Sequence, residues 1–168
     1  MKRIIPLTLA MALGACSSLL TSTLGPLAEI DPLQADPNDV AVRIEAPEGL
    51  AIRPGSAILR LAAERDGVTD EGEFVLASEG DVWFVAPADR PKLRALQARI
   101  AAWEAEDPNG TEGELGISID PCLTDGPVSL DGTGSIYLRT QAGGAFAPLI
   151  EDAPIRSIVD GTDLTACS

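Results

Sequence analysis

Val82-Trp83-Phe84-Val85 places four large apolar residues in succession. Neighbouring side chains of a strand point to opposite faces, so such a run needs cover on both sides. A strand buried on both faces belongs in the interior of its sheet. Glu79-Gly80 turns into the run and Pro87 ends it. The rest of the chain must then supply flanking strands and a layer above and below.

The flanking sequence has that character. Val40, Val42 and Ile44 alternate with Ala41, Arg43 and Glu45, which predicts a half-buried strand over 40–46. Pro47-Glu48-Gly49 and Arg53-Pro54-Gly55 mark turns. A second strand is expected over 57–63, with Ala57, Leu59 and Leu61 inward and Arg60 outward. Asp66 to Gly72 reads as an acidic connection before an apolar run resumes at 73–77. After Pro87, Asp89 suits an N-cap and Pro91 the first helical turn. Leu93, Leu96, Ile100 and Trp103 then recur at helical spacing, predicting one amphipathic helix over about 89–105 with Arg90, Lys92, Arg94 and Arg99 off its apolar stripe.

Further strands are expected around 115–119, leading to Pro121-Cys122, over 135–140 and over 146–150, with short extended pieces at 128–130 and 155–159. The glycines of Gln141–Gly144 suit a hairpin connection. Seven to eight short strands, one helix and frequent turn signals make the expected fold mainly β: an antiparallel β-sandwich with a helix packed across it. Aromatic residues are only 4% of the chain, so the core must be largely aliphatic, with Trp83 and Trp103 inside it.

The first sixteen residues follow another pattern. Met1-Lys2-Arg3 is a charged start, and Ile4 to Leu13 is an apolar run broken only by Pro6 and Thr8. About ten residues fall short of the roughly 20 needed to span a bilayer, so the run reads as a secretory signal. Leu13-Gly14-Ala15-Cys16, which closes it, resembles the lipobox of bacterial lipoproteins. The resemblance implies cleavage between Ala15 and Cys16, a diacylglycerol on the Cys16 thiol and an N-acyl chain, such as palmitate, on the new amino group. One acyl chain binds a membrane only marginally, and three make release slow. Ser17 stands where an aspartate would signal inner-membrane retention in enteric bacteria. That implies anchorage in the inner leaflet of the outer membrane, with the body in the periplasm. The implied layout is a signal peptide at 1–15, a lipidated tether at 16–39 and a single β-sandwich domain at 40–168. The tether carries Pro26, Pro32 and Pro37, and Leu24, Leu27, Ile30 and Leu33 suit its second half to docking on the body.

With Cys16 lipidated, Cys122 and Cys167 remain. Two cysteines in an exported chain point to a disulfide. The chain has 12 basic and 26 acidic residues, a formal charge of −14. Loss of Lys2 and Arg3 with the signal leaves 10 against 26, or −16. Such a surface repels nucleic acid and anionic head groups.

The chain has no histidine, which removes Ser-His-Asp and Cys-His catalysis and imidazole metal ligands. G-x-S-x-G, S-x-x-K, P-loop and G-x-G-x-x-G patterns are also missing. Asp131-Gly132-Thr133-Gly134 has the composition of an aspartic-protease loop in the wrong order and reads as a turn. The acidic stretch around Glu106, Asp107, Asn109, Glu112 and Glu114 offers oxygen ligands for calcium, although its order departs from an EF-hand. Asp66, Asp70, Glu71 and Glu73 form a similar stretch. The basic helix either neutralises neighbouring acids or presents a recognition face. Arg53-Pro54-Gly55-Ser56-Ala57-Ile58-Leu59 is similar to the proline-glycine turn and strand of small lipoproteins that act as secretin pilots or chaperones.

The sequence thus points to a non-catalytic, membrane-anchored periplasmic lipoprotein with a structural, binding or assembly role. Its expected partners are the bilayer, through Cys16, and an envelope protein, with no nucleic acid and no cofactor beyond the covalent lipid. The alternatives are a carboxylate-dependent envelope hydrolase and a calcium-stabilised binding module.

Overall fold

The computed structural model describes residues 31–126, 131–158 and 164–167. The signal run, Ala15, Cys16 and the first half of the tether lie outside the described residues, as does the extended piece expected at 128–130. The strands are β1 (Ala41–Glu45), β2 (Leu50–Ile52), β3 (Ile58–Arg65), β4 (Val68–Glu79), β5 (Val82–Val85), β6 (Thr111–Ser118), β7 (Pro121–Leu123), β8 (Thr133–Arg139) and β9 (Ala147–Pro154). The helices are α1 (Arg90–Glu106) and the single turn α2 (Ile155–Ile158). The fold is mainly β. Seven strands form one curled antiparallel sheet in the order β6-β3-β4-β5-β1-β8-β9, and β2 pairs with β7 in a small second sheet.

β5 is the middle strand of the seven, as its four apolar residues require. Trp83 and Val85 face inward and are buried, Val85 completely. The same face carries Val42 and Ile44 from β1, Leu59 and Leu61 from β3, Phe74 and Leu76 from β4, and Ile136 and Leu138 from β8. Leu93, Leu96 and Ile100 of α1 close over it. Full burial of one such side chain contributes about 1.5–3 kcal/mol, so this layer is the main source of stability. Trp83 belongs to this core, and Trp103 packs against it half-buried.

Several elements differ from the sequence reading. The acidic connection at 66–72 is mostly strand. Asp66 (φ 54°) and Gly67 (φ 75°) form a two-residue turn, and β4 starts at once at Val68. An Asp-Gly pair with both φ values positive matches the twist of a hairpin. Glu71, Glu73 and Glu79 then sit on its solvent face, while Asp70 lies on the other face and pairs with Arg99 of α1, so polarity there marks a strand rather than a loop. β6 likewise begins at Thr111 because it pairs with β3 through its polar half, down to Arg65↔Thr111. Leu50–Ile52, lying between two turns, finds a partner in Pro121–Leu123 far along the chain. Ile155–Ile158 is a helical turn rather than an extended piece, and its first amide donates to the carbonyl of Gly132 (3.0 Å).

Residues 31–40 lie across α1. Leu33 packs on the core, while Ala35 and Val40 belong to it. Gln97 Nε2 donates to the carbonyls of Pro32 (2.6 Å) and Ala35 (3.0 Å), Arg94 pairs with Asp36 (2.8 Å) and Arg90 donates to Asn38 Oδ1 (3.0 Å). Positions 90, 94 and 97 share one side of a helix. Docking of the tether's second half therefore uses a polar stripe beside the apolar one.

At the chain's other end, Cys122 and Cys167 are bonded with their Cα atoms 5.0 Å apart. Leu123 exchanges backbone hydrogen bonds with Thr165 and Cys167, each 2.9 Å. Arg53 reinforces the join. Its Nε donates to Asp120 (2.8 Å) and its terminal nitrogens to Thr165 Oγ1 (2.9 Å) and the Ala166 carbonyl (3.4 Å). In the chain-entropy picture, closing a loop of this length is worth about 4 kcal/mol. The double variant Cys122→Ser/Cys167→Ser is expected to lose about that much in denaturant melts, and a loss below about 1 kcal/mol contradicts this account.

Gly72 sits on the inner face of β4 under α1. A Cβ built there meets Phe74 Cζ at 2.7 Å and Leu96 Cδ2 at 3.0 Å. Gly72→Ala must push the helix or Phe74 aside, and overpacking of this kind costs about 1–3 kcal/mol. Gly116→Ala on β6, where a Cβ meets nothing within 4 Å, is the control. Thermal melts should show a clear loss for the first and little change for the second.

Candidate functional site: an arginine and aromatic cluster on the outer sheet face

The two faces of the large sheet carry different chemistry. On the outer face the register aligns Phe84 (β5) with Ala41 (β1), and Ala41 with Arg139 (β8). The adjacent row aligns Val82 with Arg43, Arg43 with Tyr137, and Tyr137 with Pro148 of β9. Phe146, just before β9, completes the group. The Arg43 guanidinium carbon lies 4.6 Å from the Tyr137 ring centre and 4.9 Å from that of Phe146. That of Arg139 lies 5.0 Å from Phe146 and 6.0 Å from Phe84. All four distances are within the range of cation–π attraction. Ala41 points outward yet is 0% exposed. The second apolar half of β5 is therefore covered by side chains of the sheet itself.

Electrostatically this cluster stands apart. Arg43 Nε is 3.2 Å from Glu45 Oε1, an ion pair without the alignment of a hydrogen bond. Arg139 is the one basic residue among those described with neither a carboxylate nor a hydrogen-bond partner. Its Nε is enclosed without a hydrogen-bond partner, as is that of Arg43. The other half of the outer face, on β6, β3 and β4, is acidic. Glu64, Glu112 and Glu114 line a shallow groove there, and Arg60 pairs with Glu71. One sheet face thus carries an acidic end and a cationic, aromatic end.

The sequence-level candidates fall elsewhere. The helix cations neutralise acids or hold backbone: Lys92 pairs with Asp89 (2.7 Å), Arg94 with Asp36 and Arg99 with Asp70 through two hydrogen bonds (2.6 and 2.9 Å). Arg90 Nε donates to the Val85 carbonyl (2.9 Å). Asp89 does occupy the N-cap position, but its carboxylate makes no cap. One oxygen accepts from Lys92 and the other from the Val75 amide of β4 (3.1 Å). The acidic residues after α1 disperse. Glu106 pairs with Arg65 (2.8 Å), Asp107 accepts from the Gly110 amide (3.0 Å), Asn109 lies in that turn, and Glu112 and Glu114 project from β6. Among the described residues, no three histidine, cysteine or carboxylate groups gather as a metal site. Asp131 lies in a turn and pairs with Arg156. Arg53 of the Pro-Gly motif is taken up in the join at the C-terminus.

Sequence reasoning passed over Arg43 and Arg139 because each is a lone outward residue on its strand. The available signal was Phe84, the outward aromatic of a run that needs cover on both sides. No family model, curated protein or solved structure matches this chain. Its function must be argued from these residues.

Asp36, Asp70 and Asp89 are held below the ordinary carboxylate range. For Asp36 the first cause is the Asn38 amide, for Asp70 the Arg99 guanidinium, and for Asp89 the Lys92 ammonium followed by the Val75 amide. Near the unfolded-state value of about 3.9 the folded protein binds fewer protons than the unfolded chain, so these groups add stability as pH rises. Their contribution is complete above that value and is lost as pH falls through the lower folded values. Melting temperature should therefore be nearly flat from neutral to about pH 5 and drop below about pH 4. Asp70→Asn should lower the neutral-pH value and reduce the acid slope. An unchanged slope contradicts the role given to the Asp70–Arg99 pair.

Proposed function

We propose that this protein is a non-catalytic lipoprotein of the cell envelope, held to the membrane through Cys16, whose body binds or helps assemble an envelope partner. The anchor is supported by the order of charged start, short apolar run and Leu13-Gly14-Ala15-Cys16. Among the described residues no helix is long and apolar enough to cross a membrane. We assign attachment to the lipid on the order of that N-terminal sequence, with outer-membrane placement following from Ser17.

The observation that carries the binding role is Arg139. In a chain with 26 acidic residues, a guanidinium that meets no carboxylate and whose enclosed Nε makes no hydrogen bond stands out. The other described cations have found acids or carbonyls. Arg139 has only rings, and it sits beside a second arginine that shares one of them. Tyr, Phe and Arg are also the residue types that dominate protein–protein contact energy.

Geometry fits an anchored binder. The segment leading from the tether docks on α1, which covers the inner face of the sheet, and the arginine cluster lies on the opposite face. Under this reading the incoming segment and the binding face lie on opposite sides of the sheet. Cys16→Ser tests the anchor. Wild type should fractionate with membranes and need detergent for release, and its mature form should begin at an acylated Cys16 by mass spectrometry. The variant should lose both properties. If both proteins stay in the soluble fraction, the anchor is wrong.

A further inference from the structure

We propose that Arg43, Arg139 and their three rings form a docking surface for a protein partner that presents a carboxylate among apolar side chains. This rests on the binding role above but not on the lipid anchor.

The argument starts from what each guanidinium has left to offer. Both Nε atoms are enclosed and make no hydrogen bond; that of Arg43 faces Glu45 in an ion pair, and that of Arg139 faces no anion. The side-on edge of each guanidinium, formed by Nε and one terminal nitrogen, is therefore taken by Glu45 at Arg43 and closed off at Arg139. The end-on pair of terminal nitrogens remains, a planar fork that matches the two oxygens of a carboxylate. Stacking on Phe146, Tyr137 and Phe84 fixes the guanidinium planes in advance, so little side-chain freedom is lost when an anion arrives. Arg43 already has Glu45 close by on its own strand, and Arg139 has no such neighbour. The strongest unmet demand for a carboxylate is therefore at Arg139.

The surroundings choose among anions. Val82, Pro148 and the ring edges give the cluster an apolar margin, and Tyr137 adds a hydroxyl. The half-buried state of Phe84, Tyr137, Phe146 and Arg139 leaves each partly open for contact. Beyond this margin the same face becomes acidic, and the chain carries −14 overall. A polyanion such as nucleic acid or an anionic lipid surface would meet repulsion on every side of the site. One carboxylate set in apolar surroundings meets the two arginines, with Glu45 opposing it only on the Arg43 side, because charges farther away than about 8 Å are screened at physiological salt. A flat, aromatic and arginine-rich sheet face suits a protein surface of that kind.

The test uses the full-length protein in detergent and follows the side-chain Nε–Hε NMR signals of its arginines. Arg43→Lys and Arg139→Lys assign the two signals by removing them. The probes are the peptide acetyl-Leu-Asp-Leu-amide, its asparagine counterpart, inorganic phosphate and glucuronate. The aspartyl peptide should shift both signals saturably at millimolar concentration, and the asparagine peptide should bind at least about tenfold more weakly. Arg139→Lys keeps the charge but loses the fork, and should weaken the aspartyl peptide by about tenfold. Arg94→Lys, on the far side of the sheet, should leave binding unchanged. Thermal melts of each variant verify that the fold is intact. Equal binding of the two peptides, or indifference to Arg139→Lys, overturns the proposal. Stronger binding of phosphate or glucuronate overturns the partner class while leaving a binding face in place. If no probe moves either arginine, the binding role of this face falls as well.

Discussion

The structure depends on covering β5 on both faces, fully on the inner one and in part on the outer one, where Val82 and Phe84 stay half-buried. On the inner face this is achieved as in any small sheet-and-helix layer, with Trp83 and Val85 under the aliphatic stripe of α1. On the outer face α1 gives no cover, since it closes over the inner one. The cover there is built from the long side chains of neighbouring strands. Arg139 and Phe84 enclose Ala41, and Phe146 bridges Arg139 and Arg43. Arginine is well suited to this use. Its stem and planar head can lie along apolar surface while the terminal nitrogens stay in water. The same packing that seals the central strand leaves two oriented cations at the surface.

Charge distribution follows from scarcity. With 26 acids against 12 bases, every cation has several possible partners, and most are used to fix one element to another. Arg65 joins the β3–β4 turn to the end of α1 through Glu106 and the Trp103 carbonyl. There it also lies near the negative end of the helix dipole. Arg99 joins α1 to β4, Arg90 and Arg94 hold the incoming segment, and Arg53 ties the Pro-Gly turn to the C-terminal join. These pairs are solvent-exposed and individually weak. Their value lies in selecting one arrangement of elements among several that bury similar apolar area. Against that background a cation without an acid is informative, because partners were abundant and the fold placed none beside Arg139.

Much of the fold was legible because the chain is periodic where it is buried. The alternation of Val40, Val42 and Ile44, the helical stripe of Leu93, Leu96 and Ile100, and the unbroken run at 82–85 each encode one face or two. The central place of β5 followed from its four residues alone. What failed to show was structure carried by polar positions. The first half of β4 and of β6 reads as acidic loop, because their outward residues are charged and their inward ones include Gly72 and Gly113. Pairing of β2 with β7 spans some seventy residues and rests on backbone bonds that leave no pattern in a three-residue strand. The one-turn α2 is likewise decided by its amide contact with Gly132 rather than by propensity.

The arginine cluster was illegible for a further reason. It is a product of register: β5, β1, β8 and the start of β9 must be aligned before Phe84, Arg43, Arg139, Tyr137 and Phe146 meet, and they span more than one hundred positions of the chain. The basic helix, by contrast, is conspicuous because its four cations fall within ten residues, yet each is spent on a neighbour. In a strongly acidic protein the density of cations along the sequence is a poor guide to recognition, since local clusters are the easiest for nearby acids to neutralise. An isolated arginine on an outward strand position, next to an aromatic that must be covered, escapes that fate. Residues 31–40 and the arginine cluster then lie on opposite sides of the sheet. The side packed with α1 has its cations committed to holding the chain, and the side without a helix has cations held by rings, which orient charge without cancelling it.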